Sequence, residues 1–69
     1  MMFVTAKRDT FINLMSDMDV ETEVAEGTWM FHITSDKHTR YLEPDEICVY
    51  LPKLGVNYTY KGDWEQSNG

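Results

Sequence analysis

The chain has 69 residues, with 12 acidic and 6 basic side chains and a net charge of −6 when both histidines are neutral. That balance disfavours direct binding to nucleic acid or to an anionic membrane, and favours basic partners. A chain of this size makes one domain with a small core, and its single cysteine, Cys48, excludes an internal disulfide.

His32, His38 and Cys48 have no partner at zinc-site spacing, so no metal or cofactor is expected. Oligomerisation is then the remaining common support for a marginal core, and a homodimer is expected. Met-Met-Phe-Val is too short for the apolar part of a signal peptide, and no apolar run reaches membrane-spanning length. With one cysteine and no export signal, the expected location is the cytoplasm.

Phe11, Leu14, Met15 and Met18 fall at helical spacing, which predicts a helix over residues 6–16 capped by Thr5, with Asp9 near its start. Asp17 and Asp19 oppose the negative end of that helix and stop it near Ser16. Met2, Phe3 and Val4 either pack under the sheet or add a short edge strand.

From Met18 the period becomes two. Glu26-Gly27 predicts a hairpin turn between strands Met18–Ala25 and Thr28–Thr34. In that register Val24, Val20, Trp29, Phe31 and Ile33 share an inner face, and Glu23, Glu21 and Asp19 lie opposite Met30, His32 and Thr34. Ser35–His38 reads as a loop, and Thr39–Leu42 as a short strand that Pro44 breaks. A second hairpin joins Ile47–Leu51 to Val56–Tyr60 across Pro52–Gly55, with Ile47, Val49, Leu51, Val56, Tyr58 and Tyr60 inward. Pro44-Asp45-Glu46 is alternatively the start of a helical turn or two.

The expected fold class is therefore α+β: an N-terminal helix followed by a four- to five-stranded antiparallel sheet. It occupies residues 1–65, with 66–69 as a loose C-terminal tail. This order of elements is similar in architecture to the Sm-type small barrel. That family's glycine and Asp/Asn motifs are missing here, and the charge has the wrong sign for RNA.

No motif specifies a reaction, and no catalytic residue is assigned. Glu21 and His32 are the one acid–imidazole pair that the predicted hairpin brings together, on an open face without a nucleophile. Trp29, Phe31, Tyr58 and Tyr60 lack the basic groove of a base-stacking platform and read as core. Met30, Tyr41, Cys48 and Tyr50 project opposite the predicted core and form a candidate dimer interface.

Asp17, Asp19, Glu21 and Glu23 recur every second residue, and residues 9–36 hold seven acids without a lysine or arginine. On a regular strand the four would share one face at intervals of about 6.6 Å. Successive phosphates of one DNA strand lie about 7 Å apart through space. Glu26 extends the row, and Glu43, Asp45 and Glu46 form a second group that could supply a parallel row.

In size, charge and β-rich character, the chain resembles the small acidic early proteins with which lytic phages take over a host, in particular the DNA-mimic inhibitors. The resemblance implies a host-cytoplasmic protein that binds a basic DNA-binding surface, such as that of the nucleoid protein HU, and excludes DNA. The alternative is an interaction module that contacts a polymerase subunit or antitoxin-type partner through the Tyr/Met patch.

Overall fold

The structure is a computed structural model that describes residues 2–68. Seven strands follow one another: β1 (Met2–Ala6), β2 (Thr10–Leu14), β3 (Asp17–Val24), β4 (Trp29–Ile33), β5 (Glu46–Leu51), β6 (Gly55–Tyr60) and β7 (Trp64–Asn68). One helical turn, α1 (Asp36–Thr39), lies between β4 and β5, and a 3-10 turn at Lys61–Asp63 precedes β7. All pairings are antiparallel, in the order β3-β2-β6-β5-β4-β1-β7.

Laid flat, seven strands would span about 29 Å between the outer two and be about 10 Å thick. The molecule measures 25 × 23 × 23 Å, so the sheet is rolled and its concave face encloses the core. Val4, Ile12, Met30 and Val49 point inward from four different strands and are at most 2 % exposed.

Inward polar groups are mostly satisfied by hydrogen bonds. The Asn57 amide donates to the carbonyls of Leu54 (2.9 Å) and Gly55 (3.1 Å), and the Thr59 hydroxyl donates to that of Phe11 (2.8 Å). Trp64 Nε1 donates to Thr59 Oγ1 at 3.0 Å and ties β7 to β6 across the interior. His32 Nδ1 is the exception, buried without a partner, and burial together with the charge of Lys61 pushes its pKa down.

The predicted α+β class is overturned, because residues 6–16 form no helix. They hold the end of β1, a corner at Lys7–Asp9 and strand β2. The helical stripe competes with an alternation in the same stretch, Thr10, Ile12 and Leu14, which the sheet uses on its inner face. Thr10, Phe11 and Ile12 all suit a pleated, half-buried surface. Met2–Val4 is strand, but it lies between β4 and β7 rather than at an edge of the sheet.

The predicted Glu26-Gly27 hairpin is also corrected. Gly27 does turn the chain, with φ of 89°. However, β3 pairs with β2 and β4 pairs with β1 and β5, so the turn is a corner between distant parts of the sheet. Gly27 N–H donates to the Ala6 carbonyl at 2.9 Å and Ala6 N–H to that of Thr28 at 2.8 Å, which clamps this corner to the end of β1.

The β5–β6 hairpin forms as the sequence predicts, but with Leu51 opposite Gly55 and Tyr50 opposite Val56. Ile47, Val49 and Leu51 therefore face inward, while Val56, Tyr58 and Tyr60 face outward. Residues 36–39 form a helical turn where a loop over 35–38 and the start of a strand over 39–42 were expected, and 40–42 are turn and bend. Pro44 precedes the strand that begins at Glu46 and starts no helix. Residues 66–68, read as tail, pair with β1 from Val4 back to Met2, and Gly69 lies outside the described residues.

Candidate protein-interaction surface

Strand β3 forms one edge of the sheet, and Asp17, Asp19, Glu21 and Glu23 are all exposed on it. The four do not make one straight row. Glu23 pairs with Phe11 and Glu21 with Asn13, but the register then shifts, and the next β2 residue, Leu14, pairs with Asp17. Residues 18–20 bulge between these pairs. The Asn13 amide donates to the Met18 carbonyl at 3.2 Å, and Asp19 N–H donates to Asp17 Oδ1 at 3.2 Å.

Glu21 and Glu23 consequently stand on the outer face, whereas Asp17 sits opposite an inward-register residue at the hairpin end. The uniform 6.6 Å interval expected from the two-residue spacing is lost, because a bulge absorbs residues without advancing the ladder. The charge density survives: the one ion pair among the described residues is Arg8–Asp63, which involves none of these four.

Glu26 is exposed at the β3–β4 corner, where its N–H donates to Asp9 Oδ1 at 2.8 Å. Glu43 and Asp45 are exposed in the segment before β5, and Glu46 is half-buried at its start. Glu46 Oε1 accepts the backbone N–H of Glu43 at 2.9 Å. Glu43 and Glu46 line an open groove of about 510 Å³ together with Met15, Met18, Tyr41, Leu42 and Tyr58. Met18 belongs to β3, so this groove connects the two acidic groups.

The outer face next to the acids is aromatic. Phe11 is 51 % and Tyr60 is 54 % exposed, and Tyr58 shares the outward register next along β6. Farther round the sheet, Trp29 packs edge-on against Phe3 and Phe31, with ring centres 6.1 and 5.2 Å apart. The aromatics assigned to the core are therefore outside it. A small rolled sheet has room inside for Val, Ile, Met, Thr and Asn, and only Trp64 among the large rings is sealed there.

The candidate dimer residues are dispersed. Met30 is fully enclosed in the core and offers no surface to a second copy. Cys48 is also sealed, on the outer side of β5, and burial pushes its thiol pKa up to about 11. Tyr41 is freely exposed and Tyr50 is half-buried. Glu21 lies opposite Asn13 and His32 opposite Val49, so the acid–imidazole pair is not assembled.

Two further carboxylates have structural partners: Asp63, which the sequence did not single out, and Asp9, which was expected at the start of a helix. Asp63 accepts a hydrogen bond from Thr10 Oγ1 at 2.8 Å and another from Arg8, and these bonds hold its carboxyl below the usual range. Asp9 receives Glu26 N–H, as described above. Each joins residues far apart in the chain, and no local motif marks such a contact.

Among the described residues, no three His, Cys, Asp or Glu side chains gather as a metal site, and no helix is long and apolar enough to cross a membrane. No protein-family model, curated protein or solved structure matches this chain.

Proposed function

We propose that the protein is an acidic DNA mimic that docks on the basic DNA-binding surface of another protein and excludes DNA. The observation that carries this reading is the edge of the sheet: Asp17, Asp19, Glu21 and Glu23 are exposed along β3 without a salt-bridge partner among the described residues. Glu26 extends that edge at one end, and the groove leads from it to Glu43 and Glu46. The mimicry rests on charge density and on a convex, rolled surface, not on a regular phosphate interval. Action in the cytoplasm of a host, on a nucleoid protein of the HU type, follows from the same reading.

Electrostatic steering makes such an association fast at low salt and steeply weaker as salt rises. The test is displacement of labelled DNA from a nucleoid protein of the HU type across a salt series. Displacement at low salt that fades at high salt is expected. Combined Asp19→Asn, Glu21→Gln and Glu23→Gln substitution is expected to weaken it about tenfold, since each rim pair contributes roughly 0.5 kcal/mol. A folded triple variant with wild-type potency overturns the edge as the mimic.

A second reading, contact with a polymerase subunit or antitoxin-type partner through apolar surface, draws support from exposed Tyr41, Trp29 and Phe11. Binding that persists at high salt selects it.

A further inference from the structure

We infer that the groove between the two acidic groups is the seat of an arginine side chain from the basic partner, a deepening that rests on the function proposed above. The groove combines three features that one chemistry satisfies. Met15, Met18 and Leu42 provide an apolar wall, Tyr41 and Tyr58 provide ring surface, and Glu43 and Glu46 provide the only charges in the lining. A neutral apolar side chain would leave two carboxylates beside it without a cation. A side chain with an apolar stem and a cationic end complements all three.

Arginine fits this combination better than lysine. Its planar guanidinium stacks on aromatic rings and bonds carboxylates through two parallel N–H groups. Glu46 is held for this role, because the Glu43 N–H bond to its Oε1 at 2.9 Å fixes the carboxylate and leaves Oε2 and the second lone pair of Oε1 to a partner. The chain's own Arg40 places its guanidinium carbon 5.6 Å from the centre of the Tyr41 ring. One ring of the groove thus already carries a guanidinium on its surface, while Tyr58 is left to the incoming one.

The experiment compares two labelled homopeptides of equal length, oligo-arginine and oligo-lysine, by fluorescence anisotropy with the full chain. Oligo-arginine is expected to bind about tenfold more tightly. Combined Glu43→Gln and Glu46→Gln substitution is expected to erase that preference. Combined Glu21→Gln and Glu23→Gln substitution weakens both peptides alike and keeps it.

A second measurement follows the methyl signals of Met15 and Met18 in the unsubstituted chain during titration with N-acetyl-arginine amide. These signals shift, and N-acetyl-lysine amide and N-acetyl-leucine amide leave them in place. Equal affinity for the two homopeptides overturns the arginine seat, as does a preference that survives loss of Glu43 and Glu46, or an equal methyl response to the leucine amide. In those cases salt-dependent binding still supports the mimic. Failure of both homopeptides to bind removes the mimic and the seat together.

Discussion

The corner at Asp63 and the edge at β3 use the same functional group in opposite ways. Asp63 is tied to Thr10 and Arg8, which lie 53 and 55 positions earlier in the chain, and it fastens the start of β2 to the 3-10 turn before β7. Glu21 and Glu23 are exposed, and their carboxylates enter no hydrogen bond or ion pair among the described residues. A carboxylate with fixed donors contributes to folding, whereas one without them contributes to the field that a partner meets. Placement decides which: Asp63 lies in the 3-10 turn against the start of β2, whereas Glu21 and Glu23 point outward from an edge strand.

The largest expected effect comes from breaking the corner. Asp63→Ala leaves the Thr10 hydroxyl, in a buried residue, without its acceptor and is expected to cost about 2 kcal/mol, read from the urea midpoint. A midpoint equal to wild type would make the corner as dispensable as the edge. Trp64→Phe keeps a ring in the core but removes the bond to Thr59, and about 1 kcal/mol is expected.

Acid sharpens the same contrast. His32 and Asp63 both have pKa values lowered by folding, so the unfolded chain binds more protons and stability falls as pH falls. The loss assigned to His32 begins below its ordinary value of 6.5 and levels off beneath its folded value. That assigned to Asp63 begins near 3.8 and completes below its folded value. Denaturation midpoints across an acid series check this, and His32→Gln is expected to remove the upper step while leaving the lower.

The smallest effect belongs to the edge. The triple Asp19, Glu21 and Glu23 neutralisation is expected to move stability by no more than about 0.5 kcal/mol, in the stabilising direction because like charges are relieved. A marked loss would mean that these side chains hold the fold.

Strand content was legible in the sequence wherever alternation and turn residues agreed. β3, β4, β5 and β6 lie within a residue or two of their predicted ranges. Pairing was legible only for the β5–β6 hairpin. Glu26-Gly27 has the chemistry of a hairpin turn, and only the distant contacts with Ala6 make it a corner. The inner face was misjudged because Trp29, Phe31, Tyr58 and Tyr60 outweigh their neighbours in apolar area, yet a narrow interior admits the smaller set. For the candidate surface, exposure of the acids was legible from charge and spacing. The bulge at residues 18–20 was not, since it depends on Asn13 reaching Met18.

Because β1 lies between β4 and β7, with Met2 opposite Asn68, the first strand of this sheet in chain order has its second edge covered only when the seventh is in place. Local hairpins such as β2–β3 and β5–β6 can form early, but the full sheet requires the long-range pairing of β1 with β4 and β7. Loss of residues 64–68 would strip Trp64 from the interior and expose the backbone of β1 at the same time. Folding of the sheet thereby depends on its C-terminal strand, and a chain cut before residue 64 is a sticky strand edge rather than a smaller version of the same protein.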